Sequence, residues 1–320
     1  MDAAAQIDQQ FIDRISQYTG PDSDARLTGI GEPVNPEMLL EWFDSQLMSR
    51  QLDLWSRRMQ PQGKVFYSIG SSGHEAMAAV AAALKPTDLA LLHYRDCAFQ
   101  IQRAKQLREQ FSDSTILRDL QLSFVASSLD PISGGRHKVL GSKALNIPPQ
   151  TSTIASHLPK AVGAAYGIGL SRKLKHASPY PLDSLVLCSF GDASLNHSTA
   201  QGAINSAGWI AQQHNPLPLI LVCEDNGLGI STPTPNGWVE ASCAHRPGLH
   251  YLSCNGLDLI DSYRTSRQAV ELARVKRQPV LLHFRCIRLL GHAGADNELS
   301  YLSREQIEAV QRQDPLLNSA

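Results

Sequence analysis

The chain has 320 residues, 42% of them apolar, with Lys plus Arg (29) nearly equal to Asp plus Glu (30). That length and apolar content suit a folded core, and the even charge balance gives no reason to expect nucleic acid or a membrane surface as partner. The opening MDAAAQIDQQFIDRISQY carries early acids and no signal-like apolar stretch, and no uninterrupted apolar run reaches ten residues, so a cytoplasmic chain is expected.

Residues 1–36 are polar with scattered apolar positions and end in the turn-rich GIGEPVNPE; they read as a peripheral N-terminal arm, and 37–320 as one domain. From Glu37 to Gln60, Met38, Leu39, Trp42, Phe43, Leu47, Leu52 and Trp55 recur at three- and four-residue steps, which predicts an amphipathic helix. After Pro61-Gln62-Gly63, VFYSIGSSGHEAMAAVAAALKPTD reads as a short extended piece, a Gly/Ser loop and an alanine-rich helix stopped by Pro86. LALLHYRD reads as a strand running into a loop with Tyr94 and Arg95. Between Ser127 and Pro149 the pattern dissolves into a long Gly/Ser/Pro-rich basic stretch, a length that in compact domains accompanies function or disorder.

The second half alternates regularly. It offers a small-residue helix at 158–173, a strand at 184–190, a helix at 198–213, strands at 218–224 and near 251–254, a helix at 265–277 and a strand at 279–288. This alternation predicts an α/β fold, a parallel sheet with helices on both faces. Six cysteines, at 97, 188, 223, 243, 254 and 286, form no CxxC pair and read as packing residues in a reducing compartment.

Gly191-Asp192 follows the apolar strand SLVLCSF directly, and the next strong strand, LPLILVCE, ends in Asp225-Asn226-Gly227. Each dipeptide alone is an ordinary turn. If the two strands are neighbours, however, one crossover helix brings Asp192 and Asn226 to the carboxyl edge of the sheet, where open α/β folds bind ligands. A carboxylate, an amide oxygen and a main-chain carbonyl are hard oxygen ligands of the kind that hold magnesium beside phosphate.

GDASLN and EDNGLGISTPT resemble the thiamine-diphosphate motif of the alpha subunits of 2-oxoacid dehydrogenases, GDG followed some two dozen residues later by NN, and ISTPT resembles the branched-chain subgroup. FYSIGSSGHEA, LKPTDLALLHYRD, TIASHLPKAVGAAYG and RLLGHAGAD extend the resemblance, in order, over most of the chain from about residue 37. It implies a thiamine-diphosphate-binding fold, with thiamine diphosphate and Mg2+ as cofactors. It assigns the metal to the Asp192 and Asn226 side chains and the Leu228 carbonyl. The diphosphate falls to Tyr94, Arg95 and His292 with the backbone of Ala193 and Ser194, a clamp that suits a dianion. Ser152 would meet the aminopyrimidine and Ile154, otherwise a core residue, would be the wedge that bends the cofactor. His292 would be the catalytic residue, a hydrogen-bond donor titrating near neutrality. The basic loop at Arg136, His137 and Lys138 would either close over the substrate carboxylate or stay solvated.

Several positions depart from the family pattern. Ala193 replaces the second glycine of GDG and Asp225 the first Asn. Glu224 stands where branched-chain relatives have an arginine, which puts one diphosphate contact in question. Ala293 occupies the position of a serine that mitochondrial relatives phosphorylate, and the potassium site maps onto Thr151, Thr153, Ser156 and His157, too altered to assign. The implied activity is decarboxylation of a 2-oxoacid, the branched-chain type favoured over the pyruvate or acetoin types, with acyl transfer to a lipoyl-bearing acyltransferase component. The glutamate that activates the aminopyrimidine would come from a beta-type subunit or a fused beta portion, in a two alpha plus two beta assembly. The helix at 158–173, with Gly163 and Gly167 one turn apart, offers a flat face for that partner or for packing within the domain. A transketolase-like carboligase and a degenerate non-catalytic scaffold are the other readings.

Overall fold

A computed structural model describes residues 3–18, 34–65, 69–136 and 139–320. Most of the turn-rich stretch before Val34, the extended piece at 66–68, and His137 and Lys138 lie outside the described residues. Helix α1 (Ala3–Ser16) buries Ala4 and Ile7 against Leu54, Leu289 and Leu290. Helix α2 (Pro36–Met59) begins where the Asn35 side chain accepts from the Met38 amide at 2.8 Å and Pro36 sets the first turn.

The alanine-rich helix α3 (Met77–Ala82) is almost wholly buried. Strand β1 (Leu89–Leu91) leads through a turn into α4 (Cys97–Lys105), and α5 (Asp113–Phe124) starts on the Ser112 cap. A hairpin of β2 (Leu140–Ser142) and β3 (Ile147–Gln150) occupies the end of the stretch expected to be irregular. Helix α6 (Leu158–Leu174), strand β4 (Val186–Gly191), helix α7 (Ser198–Gln212) and strand β5 (Leu219–Asp225) follow within about two residues of their expected bounds.

A two-residue hairpin, β6 (Leu228–Gly229) against β7 (Thr232–Pro233), and the short α8 (Trp238–Cys243) lead to β8 (His250–Asn255). Helix α9 (Leu259–Val270) starts six residues before the expected 265, because the Asp258 carboxylate caps the amides of Ile260 (2.8 Å) and Asp261 (3.1 Å). It closes in one π turn over Glu271–Val275. Strand β9 (Val280–Arg285), α10 (Arg304–Gln311) and α11 (Pro315–Ser319) complete the chain.

The expected α/β architecture is the one observed. The main sheet has the order β1-β4-β5-β9-β8 with every pairing parallel. Side chains alternate along each strand, so Leu187, Ile220 and Val222 enter the core under α2, α3, α4 and α9, while Val186, Cys188, Leu221 and Cys223 enter the core under α6 and α7. All six cysteines are free and buried, as packing residues should be. No helix among the described residues is long and apolar enough to cross a membrane.

The carboxyl edge is tied to α2 by buried ions. Asp53 accepts from the Ser72 amide (3.1 Å) and hydroxyl (2.5 Å) and from Arg57 (3.0 Å), which in turn donates to the Gly291 carbonyl (3.0 Å). Arg50 donates to Glu75 (2.6 Å) and forks onto Asp314 (2.8 and 2.9 Å), fastening the C-terminal segment to the same helix.

Candidate functional site

Strands β1, β4 and β5 end at one edge of the sheet, and their following turns, with the segment after β9, wall a cleft of about 310 Å³. Its lining includes all ten residues singled out from the sequence: Tyr94, Arg95, Ser152, Ile154, Asp192, Ala193, Ser194, Asn226, Leu228 and His292. The β4–β5 adjacency on which the Asp192 and Asn226 pairing depends is present, with Gly191 in register with Glu224.

Asp192 opens the 3-10 turn Asp192–Asn196 and is buried. Among the described residues it forms no ion pair; its carboxylate accepts from the Thr234 hydroxyl, and burial holds its carboxyl above the usual range. A buried carboxylate without a basic partner is costly unless a cation completes the site. The Asn226 Oδ1 atom accepts from the Leu228 amide at 3.1 Å, and Asp225 Oδ1 accepts from the Gly227 amide at 3.0 Å, so the turn after β5 is folded on its own side chains. Thr234 donates its amide to the Gly227 carbonyl (2.8 Å), which lays the β6–β7 hairpin beside Asp192.

Arg95 is not the surface side chain its loop position suggests in isolation: it is 2% exposed. Its guanidinium donates to the Gly70 carbonyl (2.6 Å) and to both Nδ1 and the carbonyl of His292 (3.1 Å each), and lies 5.2 Å from the Tyr94 ring centre. Because an arginine only donates, His292 Nδ1 is an acceptor and its N–H is on Nε2. Burial and the Arg95 charge push the His292 pKa down to about 4. The expectation of a histidine titrating near neutrality is therefore corrected: His292 is a neutral donor.

Ile154 is 52% exposed and lines the cleft, so it is not a core residue. It precedes Ala155, which has φ 60°, a conformation uncommon for a side chain other than glycine. Ser152 is exposed on the same loop, where Thr151 and Thr153 bond each other (2.8 Å). His157 is buried against the Ser189 carbonyl (2.7 Å), and Arg136 bonds the Ser133 carbonyl (3.0 Å) and does not line the cleft.

A family model described as the dehydrogenase E1 component matches residues 44–319. The chain belongs to the dehydrogenase E1 component family. The alpha subunit of 2-oxoisovalerate dehydrogenase from Bacillus subtilis is 28% identical over 286 residues, 87% of this chain and 79% of that one. The mitochondrial 2-oxoisovalerate dehydrogenase alpha subunits of Bos taurus and Homo sapiens are each 26% identical over 311 residues, 95% of this chain. The chain spans only 61% and 63% of those two proteins. Among solved structures, a transketolase from Leishmania mexicana aligns with a TM-score of 0.52 at 20% identity, over 86% of this chain and 42% of that one, a likeness of fold.

Within this dehydrogenase E1 component, the departures at Ala193 and Glu224 have a structural account. A side-chain carbon on Gly229 would stand 2.5 Å from Ala193 Cβ, so the bare backbone at Gly229 makes room for the alanine. Glu224 does not line the cleft. It is buried behind it, bonded to His74 Nδ1 (2.5 Å) and 3.4 Å from His93 Nδ1, and burial pushes its pKa up to about 8. His74, His93, Thr234 and Ile230 were not assigned from the sequence. His74 and Thr234 lie within GSSGHEA and ISTPT, so the blocks held the signal, but their roles depend on contacts across 150 and 42 residues.

Proposed function

We propose that this chain is the alpha-type half of a thiamine-diphosphate-dependent 2-oxoacid dehydrogenase acting on a branched-chain 2-oxoacid, with Mg2+ as the cofactor's metal. The observation that carries the reading is the meeting of Asp192, a buried carboxylate with no ion pair among the described residues, and the Asn226 amide at one sheet edge, across a cleft from the buried Arg95. Asp192, Asn226 and the Leu228 carbonyl would hold the metal, an oxygen donor set that suits a hard cation. Arg95, Tyr94, His292 and the amides of Ala193 and Ser194 would take the diphosphate. When bound, thiamine diphosphate supplies the nucleophilic carbon and the electron sink for decarboxylation.

The chain's own residues orient and protect that chemistry. Ile154 presents an apolar side chain to the cleft, in keeping with a wedge against the cofactor, and Ser152 offers a hydroxyl toward the aminopyrimidine end. His292, fixed by Arg95, presents Nε2–H as a donor to developing negative charge. Among the described residues lining the cleft, Asp192 is the sole carboxylate, and on this reading it would hold the metal. That supports a beta-type portion, in the same or a separate chain, as the source of the glutamate that moves the aminopyrimidine proton, and a lipoyl-bearing acyltransferase component as acyl acceptor.

Calorimetric titration with thiamine diphosphate and Mg2+ tests the site: the native chain should bind, and Asp192→Ala should lose metal-dependent binding while keeping its circular dichroism. Unchanged affinity in the variant would remove the metal assignment. Assay of a branched-chain 2-oxoacid with a lipoyl acceptor and the beta-type portion tests the activity, and acceptor transfer to an aldehyde in place of lipoyl would point to a carboligase.

A further inference from the structure

We infer that His74 is a positioning residue that sets which face of the Asn226 amide is turned to the cleft, an inference that rests on the reading of Asn226 as a cation ligand. His74 is fully buried, outside the cleft lining, in the loop before α3. The Leu228 main-chain N–H, 3.1 Å from one terminal atom of the Asn226 side chain, can only donate, so that atom is the oxygen. The amide nitrogen therefore faces His74 Nε2, 3.1 Å away. An amide nitrogen does not accept, so Nε2 must carry the lone pair, and the proton of the neutral ring sits on Nδ1. Nδ1 lies 2.5 Å from Glu224 Oε2, which accepts it, so a proton carried by this carboxyl sits on Oε1, the oxygen that faces His93 Nδ1 at 3.4 Å.

Glu224, His74 and Asn226 thus form a directed chain in which each group fixes the next. Glu224 selects the ring tautomer, the ring selects the amide orientation, and the amide leaves the second lone pair of Oδ1 for a ligand. Cys286 Sγ packs on the same ring, 3.6 and 3.8 Å from its two nitrogens, and limits its rotation. With the amide reversed, an NH2 group would meet the cation, and the Leu228 N–H would lose its acceptor. Glu224, which stands where branched-chain relatives have an arginine, has work of this kind to do behind the cleft.

The test compares His74→Leu, His74→Gln and Asn226→Ala in the full chain, reading Mn2+ affinity in the presence of thiamine diphosphate by electron paramagnetic resonance. A glutamine can donate to Glu224 and accept from Asn226, whereas leucine can do neither. The expected result is metal affinity weaker by about 10–100-fold in His74→Leu and within a few-fold of native in His74→Gln, since loss of an outer partner of a metal ligand has that scale. Weak binding in Asn226→Ala with native binding in His74→Leu overturns the positioning role, as does a glutamine variant as weak as the leucine one. Native binding in Asn226→Ala instead overturns the assignment of Asn226 as a ligand. Independently of whether the leucine variant folds, 15N spectra of histidine-labelled native chain, assigned against His74→Gln, should give His74 as the Nδ1–H tautomer; the Nε2–H tautomer overturns the inference.

Discussion

At the scale of single residues, histidines divide by the partner each faces. His292 faces Arg95 and is held neutral, with its pKa pushed down to about 4. Replacing it with alanine should lower turnover on the order of 10²–10⁴-fold, the usual contribution of a placed donor or acid, while thiamine diphosphate affinity changes by a few-fold. Steady-state rates beside calorimetry separate the two, and a variant turning over at the native rate would demote His292. His157 donates from Nε2 to the Ser189 carbonyl, and burial pushes its pKa from 6.5 down to about 4. The folded pKa is the depressed one, so as pH falls from 6.5 toward about 4 the unfolded chain takes up a proton the folded chain refuses. His157's contribution to stability is whole above 6.5 and is lost across that window. Urea titrations at pH 7 and pH 5 should therefore show a larger acid loss in the native chain than in His157→Asn; equal losses would exclude this residue as a source of acid sensitivity.

At the scale of elements, the cleft depends on a few buried polar ties that no local pattern announces. Asp314, at the cap of α11, and Glu75, just before α3, both hold Arg50 of α2, and all three side chains are buried. Asp314→Ala leaves part of a buried guanidinium unpaired, which should destabilise the chain by about 3–5 kcal/mol. Denaturant titration checks this, with a loss under about 1 kcal/mol as the contrary outcome. Asp258→Ala removes the cap of α9 and should cost about 0.5–2 kcal/mol. The helix start at Leu259 was legible in principle, since Asp258 is a favoured N-cap residue and Asp261 an acid in the first turn, but the apolar spacing that locates a helix becomes regular only further along. Helices α4 and α5 and the β2–β3 hairpin were not legible. Helix α4 is buried on every side, including Gln100, Gln102, Arg103 and Lys105, so it lacks the two-faced pattern that marks a surface helix.

At the scale of the whole molecule, two of the three glycines of α6 point outward, while Gly169 is buried against Pro216. Gly163 and Gly167 are exposed, and a side-chain carbon built on either would meet nothing within 4 Å, so the flat face does not serve packing inside the domain. Trp209 on the neighbouring α7 is 65% exposed. Gly167→Arg should leave the fold intact or raise its stability by about 0.8–1 kcal/mol, the helix preference of arginine over glycine. If this face receives the beta-type portion, the same substitution should abolish co-elution with that portion in size-exclusion chromatography; undiminished co-elution would move the partner to another surface.

The sequence by itself determined the fold class, strands β4 and β5, and the candidate site residues at their ends. These follow from local facts: apolar runs of strand length, turn residues after them, and motif blocks whose order survives low identity. Only the tertiary structure decided that β4 and β5 are neighbours, that Arg95 is buried and paired with His292, that Glu224 turns behind the cleft, and that His74 faces Asn226. Each of these is a contact between segments far apart in the chain, where direction and burial set protonation and orientation. The residue types allowed those contacts, but packing of α2, α3 and the sheet edge selected them.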